Sequence, residues 1–575
     1  MKFKKLTAYF EQMEATTKRL KMTDILGELF NAVDDNSEID KIIYLCQGQL
    51  LPVFRNIEFG MSEKLIAKAL GEVSEGSSGL IKDLFKKTGD YGQVAEQVCR
   101  EKRDVPTITE VYNSLKEITD VSGEGSVSKK VGQLAKLLND VSPIEAKYVV
   151  RIILGKIRLG IGDPTVLDGL SLAYCGNKSL RRKLERAYNL CSDLGLVAKI
   201  LFTKGLKQIE EFKAIVGCPI RVALAARLKN AEEIIEKIGT CAIEAKYDGF
   251  RCQVHKNGEE VSIFSRNLEN MTGMFPEIVA ATREQIKTKK VIFEGEAIAY
   301  DPHTGQSQPF QVTVQRKRKY DIPEMLKQCP LRLFIFDILH ADGDLTNEPY
   351  DQRRKIMSKV IKLGKVLQES PFEIVNDAKR LSEIFEEAVG DGLEGIVAKR
   401  LDSPYQAGGR NFNWIKLKRS YENALADTVD CVVIGYFFGK GTRAAFGIGS
   451  LLACVYDKEN DNFKTIAKIG SGLKEDEWIR IKKMLDKYKE KVQPSRVDSG
   501  VIPDVWVSPK FVVEVQADEI TKSPVHTCGK ITNSVSGYAL RFPRMVNFVR
   551  TDKNPEDATS VEEIIEMFKL QGRKK

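Results

Sequence analysis

The stretch Cys241-Ala-Ile-Glu-Ala-Lys-Tyr-Asp-Gly-Phe-Arg251 decides how the rest of the chain is read. Cys241 to Ala245 is a strand-like run that delivers Lys246 and then breaks at Asp248-Gly249. Alternate side chains of an extended strand share a face, so Glu244 and Lys246 are expected to point the same way. A lysine at a strand end, with a carboxylate beside it and a tight turn after it, suits a positioned nucleophile. The same residues also describe an ordinary lysine before a turn. The surrounding chain has to decide between the two.

From about residue 216 onward the pattern mixes strands with helices. Arg251–Val254 and Val261–Phe264 flank Lys256-Asn-Gly258, a hairpin signal. Val291 to Tyr300 reads as a strand with Glu294 and Glu296 on one face, and Leu331 to Leu339 as a strand buried on both sides, with Phe336 beside Asp337. A helix around Leu381–Val389 leads to Gly392-Leu-Glu-Gly-Ile-Val-Ala-Lys399, a turn and strand with Glu394 at its mouth. In Asn413-Trp-Ile-Lys-Leu-Lys418, Trp414, Lys416 and Lys418 take one face and Ile415 and Leu417 the other.

Residues 1 to about 215 carry helical periodicity. Ser142 to Gly155 is a capped helix with a glycine stop, followed by Lys156-Ile-Arg-Leu-Gly-Ile-Gly162. Two cations at a helix exit suit either a charged last turn or phosphate contacts. Residues 121–130 are expected to form an exposed loop. Beyond about 421, Val429–Phe438, Gly449–Tyr456, Phe463–Ile469 and Trp506–Val515 read as strands, with helical runs at 474–491 and 560–570. That composition suits a small barrel of the oligonucleotide-binding type. The tail Gln571–Lys575 is expected to be frayed and solvated.

A chain of 575 residues accommodates roughly three or four domains of ~150 residues. The net charge of +9 permits a polyanionic partner without showing one. Eleven cysteines without a C-x-x-C pair fit reduced thiols and argue against a disulfide framework or a cysteine zinc site. No 18-residue apolar run and no signal-peptide core occur, so a cytoplasmic protein without a membrane partner is expected. Neither a Walker loop nor a Gly-x-Gly-x-x-Gly between strand and helix is present, and the four histidines are scattered.

Taken together, Lys246, the carboxylates Glu296 and Glu394, and the cations Arg251, Arg266, Arg410, Lys416 and Lys418 do not form a stability pattern, because buried ions cost several kcal/mol unless paired. They suit a polyphosphate bound with a divalent metal held by carboxylate and phosphate oxygens. Neighbouring cations or a metal would favour the neutral, nucleophilic amine.

In this order the motifs resemble those of the ATP-dependent DNA ligases, especially the archaeal enzymes and the eukaryotic replicative type. They are Glu244-Ala-Lys-Tyr-Asp-Gly249, Ser265-Arg-Asn267, Glu294 to Asp301, Phe334-Ile-Phe-Asp337, Glu394 to Lys399, Trp414 to Lys418, Asp427 to Tyr436, Arg541-Phe-Pro-Arg544 and Asp552 to Thr559. Glu145 to Gly160 is similar to the helical DNA-binding domain of the same group. The resemblance implies a helical DNA-binding domain at 1–215, an α+β nucleotidyltransferase (adenylation) domain at 216–421 and an OB-fold β-barrel at 422–575. It implies that Lys246 is adenylated by ATP, and that AMP passes to the 5′-phosphate of a nick before the 3′-hydroxyl displaces it. Glu244 would meet the adenine amino group, and Phe336 would stack on the base. Arg251, Arg266 and Arg410 would hold ribose and phosphates. Glu296 and Glu394 would organise Mg2+, with Glu296 also on the nucleotide side. Lys416 and Lys418 would grip the α-phosphate, Asp552-Lys553 would swing in during adenylation, and Lys156 and Arg158 would meet phosphates in the minor groove. Nicked duplex DNA is the expected partner of a monomer, associated with the nucleoid if the host is a prokaryote. A sliding clamp is a further candidate partner, although no clear Gln-x-x-apolar-x-x-aromatic-aromatic peptide occurs. Glu294 adds a carboxylate where many relatives have one. A capping or RNA-end nucleotidyltransferase, an NAD-dependent ligase and a non-catalytic DNA-binding protein are the alternatives. The helical domain, the missing cysteine quartet and the complete motif set, respectively, speak against them.

Overall fold

A computed structural model describes residues 1–74, 78–101, 106–308, 310–313, 316, 322–391, 393–418, 428–439, 447–517, 519–530, 536–547 and 549–571. The chain divides into two compact units, one of residues 1–188 with 192–212, the other of 189–191 with 213–575.

The first unit is built of helices, from Phe3–Glu14 to Leu206–Glu210. Their starts follow local chemistry. Ser142 and Glu145 close a reciprocal cap on Pro143–Ile153, with the Ser142 N–H donating to Glu145 Oε2 at 2.8 Å. That helix carries a buried ion cluster. The Arg151 guanidinium donates to Asp90 Oδ2 at 3.0 and 2.6 Å and to both Glu14 oxygens at 2.9 and 3.0 Å. Lys147 pairs with Glu14 at 2.9 Å, and the Tyr148 hydroxyl donates to the same carboxylate at 2.9 Å. The expected loop at 121–130 shrinks to 121–125, because a helix runs over Ser126–Asp140. Buried Val131, Leu134 and Leu138 draw the Ser-Val-Ser-Lys-Lys run into that helix, a stripe visible only beyond the polar start.

In the second unit two five-stranded sheets carry the motifs. The first contains β1 (Leu224–Arg227), β2 (Cys241–Ala245), β8 (Phe372–Val375), β9 (Gly395–Arg400) and β10 (Arg410–Lys418), in the order β1-β10-β9-β2-β8. The other contains β3 (Phe250–Asn257), β4 (Glu260–Ser265), β5 (Lys290–Ala299), β6 (Leu331–Ala341) and β7 (Leu367–Glu369), in the order β4-β3-β5-β6-β7. Each has its own apolar core: Ile243, Ile396, Ala398 and Ile415 with Leu381 and Phe385 in the first, Val254, Phe293, Leu333 and Ile335 with Phe275 and Ile278 in the second. The β3–β4 hairpin closes one residue later than Asn-Gly suggests. Asn257 pairs with Glu260, and Gly258 turns the chain at φ 62°. β6 is not buried on both sides. Leu331, Leu333 and Ile335 face the core, while Arg332, Phe334 and Phe336 are half-buried on the other face. A register shift opposite Glu294 and Gly295 carries the pairing from Asp337 to Ile335 and passes over Phe336.

The strand-rich remainder holds β11 (Val429–Phe437), β12 (Ser450–Asp457), β13 (Asn462–Ile469), β14 (Lys489–Glu490), β15 (Val497–Asp498), β16 (Val505–Gln516), β17 (Glu519–Ser523), β18 (Gly537–Arg541) and β19 (Arg544–Met545). Their main sheet runs β14-β16-β11-β12-β13-β15, with β19 on β16, and β17–β18 form a separate hairpin. The helical run expected at 474–491 is shorter. It covers Glu475–Leu485 and a 3-10 turn, and then becomes β14. A last helix covers Val561–Gln571. The 421/422 boundary, Asp427 and the tail 572–575 lie outside the described residues.

Candidate active site

β2 ends at Ala245, and the Lys246 N–H donates to the Gly395 carbonyl at 2.9 Å. That bond fastens the lysine to the start of β9, where Glu394 stands. Two glycines permit the approach. A Cβ on Gly249 would lie 2.4 Å from the Ala297 carbonyl oxygen, and one on Gly395 (φ 140°) 2.1 Å from that of Leu417. Lys246 Nζ is ion-paired with Glu394 Oε2, while Lys418 Nζ meets Glu394 Oε1 at 2.8 Å. Burial raises the Glu394 carboxyl, but the two lysines override it and bring it down to about 2.

Glu296 behaves in the opposite way. Burial pushes its carboxyl up to about 7 against the pull of Lys246 and Arg251, and the Asp248 and Glu394 charges push in the same direction as burial. Asp248 is raised as well, by burial and then by Glu394. Three carboxylates thus repel one another around one lysine, an arrangement that an additional cation would relieve. Among the described residues no three carboxylate, histidine or cysteine side chains converge closely enough to cage a metal by themselves.

Arg251 sits behind this group. Its guanidinium donates to Glu294 Oε2 at 2.8 Å and to the Ala223 carbonyl at 2.9 Å, and lies over the Phe336 and Trp414 rings at 5.3 and 5.5 Å. Glu244 is buried and engaged. Lys399 Nζ donates to both its oxygens at 3.0 Å, the Tyr350 hydroxyl donates to Oε1, and Ser370 Oγ lies 3.4 Å from Oε2. Burial pushes the Lys399 ammonium down, opposed by Glu244, and its Nζ lies over the Phe336, Tyr350 and Trp414 rings. Glu244 and Lys246 therefore serve different partners.

Arg266, Arg410 and Lys553 form a cationic group. Arg410 is ion-paired with Glu563 of the last helix, and burial with the Arg227 and Arg266 charges brings its guanidinium down to about 10. Burial and Arg266 bring Lys553 down to about 8, although its ammonium is paired with Asp430. The Nε atoms of Arg251, Arg266 and Arg410 are buried without a hydrogen-bond partner. The same unpartnered Nε occurs at arginines away from this group, such as Arg496, so it does not by itself mark a ligand site.

Comparison with known proteins gives the family of the chain. A family model described as "ATP dependent DNA ligase domain" matches residues 222–418, one described as "DNA ligase N terminus" matches 2–171, and one described as "ATP dependent DNA ligase C terminal region" matches 444–553. The chain belongs to the ATP-dependent DNA ligases. It is 53% identical over 576 residues to the probable DNA ligase of Dictyoglomus turgidum, covering 100% of this chain and 99% of that protein. It is 43% identical over 594 residues to the DNA ligase of Sulfurisphaera tokodaii, covering 100% of this chain and 98% of that protein. A solved structure of mycobacterial DNA ligase D with ATP and MES is 23% identical, covers 59% of this chain and 97% of that one, and superposes with a TM-score of 0.33. The reaction class follows from the family: strand joining at nicks in duplex DNA, driven by ATP through lysyl-adenylate and DNA-adenylate intermediates.

In this ligase the fold brings Lys246, Glu394 and Lys418 into direct contact and places the Glu296 and Arg251 charges beside them. Phe336 packs edge-on against Trp414 at 6.0 Å, and Lys416 pairs along β10 with Val397. Asp552 lies in a two-bond pair with Arg550 at 2.7 and 2.6 Å, and Lys553 reaches the Arg266 field. In the helical unit, Lys156 pairs with Glu63 at 3.0 Å and Arg158, at φ 61°, lies 3.7 Å from Asp90. Reading the chain missed Tyr350, Tyr405, Glu563 and the roles of Asp430 and Lys399. Tyr405 and Glu563 stand outside the motif runs, and Lys399 closes a quoted motif without an obvious partner. No helix among the described residues is long and apolar enough to cross a membrane.

Proposed function

We propose that Lys246 is the nucleophile of this ligase and that Glu394 and Lys418 hold it in register with the nucleotide. The carrying observation is the shared carboxylate: one Glu394 bonded through separate oxygens to Lys246 and Lys418. Lys246 Nζ forms a P–N bond to the α-phosphorus of ATP as the bond to pyrophosphate breaks. A 5′-phosphate oxygen at the nick then takes the AMP, restoring the amine. Finally the 3′-hydroxyl attacks that 5′-phosphorus, AMP leaves, and the strand is sealed. Lys246 must give up a proton before attack, and Glu394, ion-paired with it, orients the amine and is too weak a base to keep that proton. Arg251, Arg266 and Arg410 hold ribose and phosphates, with Lys416 and Lys418 on the α-phosphate and Lys553 toward the leaving group. Phe336 is the base platform. Glu244, held by Lys399 and Tyr350, shapes the adenine end.

Glu296 and Glu394 are the residues that would hold Mg2+. The fit rests on hard oxygen donors and on the raised Glu296 and Asp248 carboxyls, which Glu394 pushes further in the same direction. The two side chains do not make a cage, so phosphate oxygens and water would complete the shell. When bound, the ion would neutralise charge developing on the phosphates. The domain assignment is 1–215 for DNA binding, 216–421 for adenylation and 422–575 for an OB-fold. The protein acts as a cytoplasmic monomer on nicked duplex, nucleoid-associated in a prokaryotic host, with a sliding clamp as a candidate partner. Lys156 and Arg158 are assigned to DNA phosphates and must trade their carboxylate partners for them.

Intact-mass spectrometry after incubation with ATP and Mg2+ tests the assignment. An AMP-sized adduct is expected on the wild type and on no folded Lys246→Ala molecule. An adduct persisting in the alanine variant would move the nucleophile elsewhere.

A further inference from the structure

The segment between the last helix of the first unit and β1 is not a slack linker. Three of its backbone N–H groups are bonded by side chains of β3 and of the connection between β9 and β10. The Gly217 N–H donates to His255 Nδ1 at 2.9 Å, the Ile220 N–H to Gln253 Oε1 at 2.7 Å, and the Ala223 N–H to the Tyr405 hydroxyl at 2.8 Å. These side chains also bond to one another. Gln253 Oε1 lies 2.9 Å from His255 Nε2, and Gln253 Nε2 donates to the Ile220 carbonyl at 2.9 Å and to Glu294 Oε1 at 3.1 Å. Burial holds His255 neutral, with its pKa down to about 3. Because its Nδ1 accepts from Gly217, its proton stands on Nε2 and points at Gln253. Glu294, fully buried, takes the Tyr405 hydroxyl at 2.8 Å and the Arg251 guanidinium at 2.8 Å on its other oxygen. Arg251 then closes the circuit on the Ala223 carbonyl at 2.9 Å.

Glu294 thus accepts three hydrogen bonds, and Ala223 is bonded through both its N–H and its carbonyl. Glu294, added where many relatives have one carboxylate, bonds the residues that hold the strap, and Glu296, two residues on, lies in the field of the Lys246 charge. We propose that Glu294, Gln253 and Tyr405 are positioning residues for the adenylation reaction. They fix Arg251 against the strap Gly217–Ala223, so strap order and nucleotide affinity are one coupled property. This rests on the assignment of Arg251 to the nucleotide given above. Coupling of this kind is reciprocal: whatever the strap contributes to nucleotide binding, bound nucleotide returns as strap order.

Full-length Tyr405→Phe and Gln253→Met keep shape and remove one set of strap bonds each. Both are compared with wild type for KM and kcat of lysyl-adenylate formation, melting midpoint, and amide exchange of residues 217–223 with and without a non-hydrolysable ATP analogue. Each variant is expected to raise KM for ATP about ten-fold or more with kcat held, the size expected when a hydrogen bond to a charged group is lost. The analogue should slow exchange of the strap amides in wild type and slow it less in the variants. An unchanged KM, a loss of KM and kcat in step with the melting midpoint, or a wild-type strap indifferent to the analogue would each overturn the proposal. A wild type that forms no adduct on Lys246 would instead remove the site assignment beneath it.

Discussion

Two groups of charges in this protein look alike on paper and differ in the one respect that matters. In the helical unit, buried Arg151 meets Asp90 and Glu14 through four hydrogen bonds, and Lys147 and Tyr148 complete the Glu14 carboxylate. The Glu14 carboxyl, raised by burial, is brought down to about 2 by Arg151 and Lys147. That network is closed and asks for nothing more. Around Lys246, Glu394 is brought equally low, but Glu296 and Asp248 are raised, so the charges there are not balanced by one another. A structural cluster balances itself, whereas this one is balanced only by something that comes and goes.

The widest separation between the two should come from paired single variants. Glu394→Gln removes the charge that orients Lys246 and Lys418, and a fall of about 10² to 10³ in lysyl-adenylate formation is expected, the scale of losing one aligned electrostatic group. Its fold should survive. Arg151→Met should do the reverse. It strands Asp90 and Glu14 and should cost about 3–5 kcal/mol of stability, while each folded molecule still labels with ATP. Denaturation followed by circular dichroism and burst-labelling amplitude separate the two. An Arg151→Met protein that is stable but inactive would dissolve the distinction.

How far the sequence carried this distinction depends on spacing. Lys246, Glu394 and Lys418 were legible because each closes a strand or turn with its own local signature. The direct bonding of both lysines to one carboxylate was not, since the pairings span 148 and 24 residues. The Ser142–Glu145 cap could be read within one turn of helix. The Ser126 helix could not, because its apolar stripe starts after a polar first turn. Phe336 was found as an aromatic beside an aspartate, but β6 was misjudged as buried on both sides. A run of apolar residues does not reveal that one face lines a site. Glu294 and Glu296 were placed on one face, and nothing local tells that one carboxylate turns to Tyr405 and the other to Lys246.

The imbalance at Glu296 has a sign that pH can expose. Its ordinary value is 4.5 and the folded protein holds it at about 7. Between these values the folded state retains a proton that the unfolded state has lost, so stability falls as pH rises through the window and stays lower above it. Glu296→Gln removes that cost, roughly 3 kcal/mol at pH 8. In EDTA the variant should melt above wild type at pH 8, with the gap closing toward pH 5, while adenylation is lost. A gap that persists at pH 5 would assign the stabilisation to packing and not to charge.

The smallest effect tests the edge of the comparison, where a structural carboxylate reaches into the site. Glu563 uses Oε2 to accept the Ser560 N–H at 2.9 Å, capping the last helix, and Oε1 to pair with Arg410. It is thus closed on one side and open on the other. Glu563→Gln keeps an acceptor for the cap and removes the charge from Arg410. The guanidinium, already brought down to about 10 by burial, Arg227 and Arg266, would then face the phosphates without a competing carboxylate. KM for ATP in adenylation is expected to fall about threefold to tenfold, for a loss of stability on the order of 1 kcal/mol. A rise in KM would mean that Glu563 orients Arg410 for the nucleotide. The carboxylate would then belong to the unbalanced cluster and not to the closed one.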